Sequence, residues 1–209
     1  MNGYKVHEQK IKKLREETAS YKIPLALTEC HYSIEGRNRC EVLSSWAAGV
    51  SYARIMNSHE RNGDVLKIAT MADFCGTRWQ VNAVMIPVPT GEAIMMPVAK
   101  IMHLYRHHTG KSFINVKGMP GELDVTASRT DNKIFLHVVN TNRIKAINSF
   151  FKIDDIAFSS GKAFELSTDP SFEIMSASND PLQPKERTII PGTPFTFSPA
   201  SVTAIELTI

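Results

Sequence analysis

In the first half of the chain, segments with hydrophobic residues at helical spacing alternate with short runs of apolar residues. One polar helix is predicted over residues 4–20, and a longer helix near 38–60. A third helix is predicted to begin at Pro97 and to stop near Gly110, because these residues suit a helix start and a helix end. The positions predicted to face inward are Ile11 and Leu14 in the first helix and Leu43, Trp46, Val50 and Ala53 in the second.

The apolar runs between these helices predict strands. Residues 23–29 and 65–71 have the length and composition of buried strands in a parallel sheet. Shorter strands are predicted at 84–87 and 93–96. Two parallel strands joined by a crossover helix form a βα unit, and these strands are too few to close a sheet by themselves.

From about residue 112 the pattern changes to short strands at intervals of roughly ten residues, which is typical of an antiparallel β-sandwich. Turns between the strands are predicted at Asp131–Asn132, Gly161 and Pro181. The chain is therefore expected to be α/β over residues 1–111 and all-β over residues 112–209. The predicted strands are Leu123–Ala127, Lys133–Asn140, Ser149–Ile153, Ala163–Leu166, Phe172–Met175, Thr188–Ile190, Thr193–Phe197 and Ser201–Leu207.

Composition narrows the functional classes. The chain has 209 residues, 43% of them hydrophobic and 22% charged, which is ordinary for a soluble globular protein. A net charge of +3 is too small to indicate nucleic acid or an anionic membrane as a partner. The amino-terminal residues contain no apolar signal core, so we expect a cytoplasmic protein. If the chain is part of a longer protein, that absence says little.

The three cysteines, Cys30, Cys40 and Cys75, form no disulfide framework and show no paired metal spacing. His103 and His107 have the spacing of one helix face. Leu104, however, stands where a zinc protease motif would have glutamate. We therefore expect no metal site.

Glu29 is the strongest candidate for catalysis. It ends the run Ile23–Glu29, and a carboxylate at the carboxyl end of a parallel strand can act as nucleophile or general base. An ordinary charged residue where a strand meets its loop would give the same pattern. His31 follows closely and could hydrogen-bond a polar ligand. Trp79, in a later loop, could stack on a sugar face or equally fill an interface with the β-sandwich.

The order of several segments resembles glycoside hydrolase family 51, the retaining α-L-arabinofuranosidases. The resemblance covers nearly the whole chain, although no single motif decides it. The segments that carry it are IPLALTE at 23–29, Asn57–Ser58–His59, DVLKIATMADF from Asp64, MMPVAKIMHLYRHHTGKSFINV from Met95, LDVTASRTDNKIFLHVVNTNRIKAI from Leu123, and PASVTAIEL from Pro199.

This resemblance implies a fold and a mechanism. Residues 4–20 would be the sixth helix of a (β/α)8 barrel, and the strands at 23–29 and 64–71 would be its seventh and eighth. Residues 112–209 would be the family's jelly-roll-like C-terminal β-sandwich. Glu29 would be the nucleophile that forms a glycosyl-enzyme intermediate, and two-carboxylate chemistry needs no cofactor or metal.

Three departures from the family pattern stand out. The family's acid/base glutamate lies on the fourth barrel strand, before the segment that this chain matches, and Glu35, Glu41 and Glu60 do not replace it. Cys30 occupies the place where the family commonly has tryptophan. Glu92 falls where many members have a sugar-contacting glutamine, so we include it with His31 and Trp79 among the substrate-binding candidates.

The sequence therefore predicts the C-terminal portion of an α-L-arabinofuranosidase-like hydrolase that is inactive as an isolated chain. Its substrate would be an arabinose-containing oligo- or polysaccharide. A polypeptide encoded upstream could complete the barrel, and a homo-oligomer is possible, whereas nucleic acid and membrane partners are not expected. A non-catalytic carbohydrate-binding or interaction module and one part of a split enzyme remain as alternatives.

Overall fold

The computed structural model describes residues 3–30, 43–70, 74–77, 82–89, 91–153, 156–174 and 176–209. The described helices are α1 (Gly3–Thr18), α2 (Trp46–Arg61) and α3 (Pro97–His107). The described strands are β1 (Leu25–Leu27), β2 (Leu66–Ala69), β3 (Cys75–Gly76), β4 (Val84–Met85), β5 (Ile94–Met95), β6 (Ser112–Ile114), β7 (Leu123–Thr130), β8 (Lys133–Asn140), β9 (Ile147–Ser149), β10 (Ser160–Ser167), β11 (Lys185–Ile189), β12 (Phe195–Phe197) and β13 (Ser201–Thr208).

The chain forms two compact units. Unit 1 comprises Met1–Ala99 together with the distant segment Glu173–Asn179, and unit 2 comprises Lys100–Phe172 and Asp180–Ile209. The division falls within α3, whereas the domain boundary predicted from the sequence lies after residue 111 and stays a prediction. None of the helices within the described ranges combines the length and the hydropathy that crossing a bilayer requires.

Helix α1 packs along α2 through a line of residues spaced three or four apart. Glu8 accepts a hydrogen bond from Arg61, Ile11 is buried, and Arg15 donates to Asp64 Oδ2 at 2.5 Å. Leu14 was predicted to face inward but is 46% exposed. The contacts with α2 and with the start of β2 are made by positions 8, 11 and 15, and Leu14 is not part of this face of the helix.

Helix α2 begins later than predicted. Ser45 is its N-cap, and the Ser45 hydroxyl accepts a hydrogen bond from the Ala48 N–H at 3.2 Å. The predicted start at residue 38 lies outside the described residues. The predicted inward positions are confirmed: Leu43, Trp46, Val50 and Ala53 are all buried.

Strands β1 and β2 are parallel, as predicted, with Leu25 opposite Leu66 and Leu27 opposite Ala69. The prediction that these strands are buried is wrong for most of their length. Ile23, just before β1, is 59% exposed, and Ile68 in β2 is 55% exposed. The apolar pattern is that of a strand covered on both faces, but within the described residues β1 and β2 pair only with each other.

A small sheet of unit 1 contains β3, β4 and β5, in that order. Strand β3 pairs with β4 in parallel, and β4 pairs with β5 in antiparallel fashion. This sheet leads directly into α3, which begins at Pro97 as predicted.

Unit 2 consists mainly of antiparallel strands. A six-stranded sheet has the order β11-β10-β13-β8-β7-β6, and β12 pairs with β9 in a separate two-stranded sheet. Both sheets contribute to one hydrophobic core. The six-stranded sheet supplies residues such as Val138 and Ile205, whereas Ile147, Phe195 and Phe197 come from the two-stranded sheet.

Three predictions in the β region are wrong. The predicted strand Ser149–Ile153 is not formed, because β9 ends at Ser149 and Ile153 makes only an isolated bridge with Ile156. Gly161 was predicted to mark a turn but lies within β10, where a Cβ would come 2.9 Å from Cβ of Ile189 and 2.7 Å from a methyl group of Leu207. Glycine is required there for close approach between strands. The predicted strand Phe172–Met175 is instead an isolated bridge between Glu173 and Ser45 in unit 1, and Met175 lies outside the described residues.

Gly110 also has a different role from the one predicted. Its backbone does not adopt the left-handed conformation of a helix-ending glycine. The Gly110 N–H donates to the Ser128 hydroxyl at 2.8 Å, and the Arg129 backbone passes so closely that a Cβ on Gly110 would lie 2.6–2.8 Å from its atoms. The glycine therefore lets the chain leaving α3 lie against β7.

Replacing Gly110 with alanine should destabilise unit 2, because the new Cβ meets backbone atoms that cannot rotate away. We expect Gly110→Ala to lower the free energy of unfolding by roughly 1–3 kcal/mol, measured by chemical denaturation. Gly121→Ala is the matched control, since a Cβ there meets nothing within 4 Å. Equal stability of the two variants would contradict the assigned role of Gly110.

Candidate active site

Glu29 lies where the sequence predicts it, just beyond the carboxyl end of β1. The strand ends at Leu27, and Thr28 and Glu29 continue toward the same edge of the parallel pair at which β2 ends. The Glu29 side chain is exposed. A carboxylate in this position is accessible to a substrate at the carboxyl edge of the strands.

Hydrogen bonds to the backbone fix the chain on both sides of Glu29. The Thr70 N–H donates to the Leu27 carbonyl at 2.9 Å, and the Thr70 hydroxyl donates to the Thr28 carbonyl at 2.5 Å. On the other side, the buried Tyr52 hydroxyl donates to the Cys30 carbonyl at 3.0 Å. Position 29 is therefore held between two side-chain hydroxyls from different elements.

Cys30 is buried immediately after Glu29. Burial raises the pKa of its thiol to about 11, so the thiol is protonated and unreactive at neutral pH. By the resemblance to family 51, tryptophan would be expected at position 30. A buried cysteine is far smaller than an indole ring, so the surface beside Glu29 differs from the one that the resemblance implies.

The other predicted site residues are only partly described. His31 and Trp79 lie outside the described residues. Glu92 lies in the segment that precedes β5, and its side chain is exposed. Glu29 and Glu92 thus occupy two different elements of unit 1, and their predicted roles stay predictions.

Glu60 does not supply a second catalytic carboxylate beside Glu29. It lies in the last turn of α2, from which the chain turns through Asn62 and Gly63 into the start of β2. It is therefore near the amino end of the strands, whereas Glu29 is at the carboxyl end. Glu35 and Glu41, also rejected from the sequence, lie outside the described residues.

The sequence does not predict the two residues that hold the backbone on either side of Glu29, Tyr52 and Thr70. Tyr52 falls on the buried face of α2, where an aromatic residue indicates core packing and nothing distinguishes its hydroxyl. Thr70 ends the predicted strand 65–71. Its link to Thr28 spans 42 positions of the chain, so no local pattern could reveal it.

Unit 2 contains a separate cavity of about 640 Å³. Its interior is lined by aliphatic residues of β7 and β8, such as Val125 and Val138, and by Phe197. Polar and aromatic side chains also border it, including Lys117, Lys152 and the 66% exposed Phe150. A cavity with an apolar floor and a few polar groups is the usual form of a small-molecule site.

The Tyr52 hydroxyl gives a direct test of how the segment around Glu29 is held. Tyr52→Phe should lower the free energy of unfolding by about 1 kcal/mol, because the Cys30 carbonyl loses its donor in a buried place. Thermal and urea unfolding would measure this. Tyr21→Phe is the control, since Tyr21 is largely exposed. A Tyr52→Phe variant as stable as this control would show that the bond contributes nothing.

No protein-family model matches the chain, and a search of curated proteins finds no match. Solved structures do match. The GH51 α-L-arabinofuranosidase from Thermotoga petrophila RKU-1 matches with TM-score 0.79 and 18% identity, over 99% of this chain and 49% of that one. The α-L-arabinofuranosidase from Thermotoga maritima, solved with arabinose, matches with TM-score 0.73 and 18% identity. That match covers 100% of this chain and 51% of the other.

A third similar structure comes from another glycosidase family. The family 30 subfamily 8 xylanase from Clostridium acetobutylicum matches with TM-score 0.62 and 13% identity, over 89% of this chain and 43% of that one. The chain thus spans about half the length of the solved structures it matches. It is a mixed helix and sheet protein with few helices and many strands, and it has the fold of the C-terminal part of GH51 α-L-arabinofuranosidases.

Proposed function

We propose that the chain is the C-terminal portion of an α-L-arabinofuranosidase-like retaining glycoside hydrolase. It would contribute the last two βα units of a (β/α)8 barrel and a jelly-roll-like C-terminal β-sandwich. The substrate would be a terminal arabinofuranosyl group on an arabinose-containing oligo- or polysaccharide. The observation that carries this proposal is the position of Glu29 at the carboxyl end of a parallel strand, with its flanking backbone held by Tyr52 and Thr70.

Glu29 would act as the nucleophile. Its carboxylate would attack the anomeric carbon while a carboxylic acid protonates the departing oxygen, giving a glycosyl ester and a free alcohol. Water, deprotonated by the same second carboxyl group, would then hydrolyse the ester. An exposed carboxylate at a strand edge suits this role, since it must reach the sugar. Glu92, with His31 and Trp79, is proposed to contact the sugar.

The second carboxyl group is proposed to come from outside residues 1–209, either from a preceding part of the same polypeptide or from a partner polypeptide that completes the barrel. The exposed apolar side chains of Ile23 and Ile68 support this proposal. In a closed barrel, strands are covered by neighbouring strands and by an outer layer of helices. Covering a large aliphatic side chain contributes roughly 1.5–3 kcal/mol, so association with further strands is favourable.

The proposal is tested by the hydrolysis of an aryl α-L-arabinofuranoside. We expect little or no turnover by the chain alone, and turnover when it is mixed with the polypeptide encoded immediately upstream. In the mixture, Glu29→Gln should reduce the rate by at least about a thousandfold, because the nucleophile is lost. Glu16→Gln, at an exposed position of α1, is the matched control.

Three results would contradict parts of this proposal. Clear turnover by the pure chain would show that no partner is needed. Unchanged activity of the Glu29→Gln mixture would exclude Glu29 as the nucleophile. Inactivity of a stable mixture would remove the split-enzyme interpretation and favour a binding role.

Carbohydrate binding by unit 2 is the second candidate function, and the 640 Å³ cavity favours it. The exposed ring of Phe150 presents an apolar surface to the C–H groups of a sugar, and Lys117, Lys152 and Asn115 offer hydrogen-bond partners at the same cavity. This function needs no catalytic carboxylate. It is therefore compatible with a chain that binds sugar without cleaving it.

Binding of arabino-oligosaccharides, measured by titration calorimetry, tests this second function. Phe150→Ala should weaken binding by about fivefold or more, because removing a stacking ring costs roughly 1 kcal/mol or more. Phe113→Ala is the control, because Phe113 is also exposed but does not line the cavity. Equal binding by the two variants would place the sugar elsewhere.

A further inference from the structure

Three side chains with metal-binding atoms converge in unit 1. They are His7 on α1, Cys30 after β1 and His59 near the end of α2. The Nε2 atoms of the two histidines are 2.7 Å apart, and one ligand atom from each of the three residues lies within 4.8 Å of the others. Cys30 is buried, and both histidines are half-buried.

The spacing of these atoms is close to that of a tetrahedral metal site. Zinc–nitrogen bonds of about 2.0–2.1 Å would place two imidazole nitrogens about 3.3 Å apart. The histidine nitrogens therefore need to separate by only a fraction of an ångström, and the shared hydrogen bond between them would be replaced by two metal bonds. The Sγ atom of Cys30 lies no more than 4.8 Å from the ligand nitrogen of either histidine. A small rotation of its side chain would bring it to the same metal ion.

The protonation states of the histidines also suit a metal. Burial, together with the neighbouring His7, lowers the pKa of His59 to about 4. Burial, and next the charge of Lys10, lowers the pKa of His7. Burial therefore favours the neutral imidazole in both residues, the form in which histidine binds metal.

The thiol of Cys30 is the group that must change. It is protonated in the metal-free chain, and a divalent cation bound to its sulfur would displace the proton to solvent. The bound ion would then be held by one thiolate and two neutral imidazoles, and one proton would have been released. No oxidant or reductant is involved.

We propose that His7, Cys30 and His59 form a binding site for Zn²⁺, with water in the fourth position. Histidine nitrogen and cysteine thiolate are both zinc ligands, and three protein ligands with water in the fourth position are the arrangement of open zinc sites. The ion would join α1, the segment after β1 and α2. This proposal does not depend on the glycosidase function, although the site includes the residue next to Glu29.

Nothing in the sequence pattern indicated this site. The two histidines are 52 positions apart, and no short spacing motif connects them with the cysteine. The ligands come together only because α1 packs along α2, which the Glu8–Arg61 and Arg15–Asp64 ion pairs stabilise.

Metal titration of the full chain tests the proposal. We expect one Zn²⁺ per chain by calorimetry and a rise in melting temperature on saturation. Co²⁺ should bind in the same place and give a thiolate-to-cobalt charge-transfer band in the near ultraviolet. Cys30→Ser should abolish that band and weaken Zn²⁺ binding about tenfold or more. His59→Gln and His7→Gln should weaken binding similarly.

His103→Gln is the matched control. His103 and His107 form an exposed pair one helical turn apart, with ring centroids 4.5 Å apart, and such a pair can hold a metal weakly. Cys75→Ser, at an exposed free cysteine, is the second control. Both control variants should bind as the parent chain does.

Several results would overturn the site. A cobalt complex of the parent chain without the thiolate band would exclude Cys30, and this measurement needs no variant. Unchanged affinity in Cys30→Ser would do the same. Loss of binding in His103→Gln or Cys75→Ser would assign the metal to the surface. If Cys30→Ser does not fold, the half-buried His7→Gln variant and the band in the parent chain decide the matter.

Discussion

The parallel pairing of β1 with β2 is the constraint on which the candidate active site depends. Backbone hydrogen bonds from Leu25 to Val65 and from Thr70 to Leu27 set the register. This register brings the Thr70 hydroxyl to the Thr28 carbonyl and so fixes the chain just before Glu29. A shift by one residue would turn the side chains of β1 to the opposite face and remove this support.

Patterns in the sequence predicted the elements whose side chains repeat over several residues. Strands β8 and β13 are confirmed because each extends over eight residues, along which apolar side chains recur often enough to establish a pattern. Strands β3 and β6 were missed, since two or three residues cannot establish a period. The buried state predicted for β1 was wrong for another reason: burial depends on what packs against a strand, and the local sequence does not contain that information.

The same distinction applies to the site. Glu29 could be predicted because its position at the end of an apolar run is a local property. Tyr52 acts through a contact that spans 22 positions, so its role could not be predicted. The convergence of His7 with His59 is of the same kind. Long-range contacts of polar atoms become visible only when the helices are placed beside each other.

Fold alone does not determine which sugar is bound. The chain is similar both to GH51 arabinofuranosidases and to a family 30 xylanase, proteins whose names describe different substrates. Proteins with similar folds can therefore act on different substrates, because the side chains of a site and not the fold decide what is bound.

The segment Glu173–Asn179 has a consequence for the order in which the protein is made. Ile174 is fully buried, and its N–H donates to the Ser44 carbonyl at 2.9 Å within unit 1. A ribosome must therefore translate β6 to β10 before the last part of unit 1 exists. Unit 1 therefore cannot reach its final packing until Asn179 has been translated, whereas a unit that is made earlier usually folds before the unit that follows it.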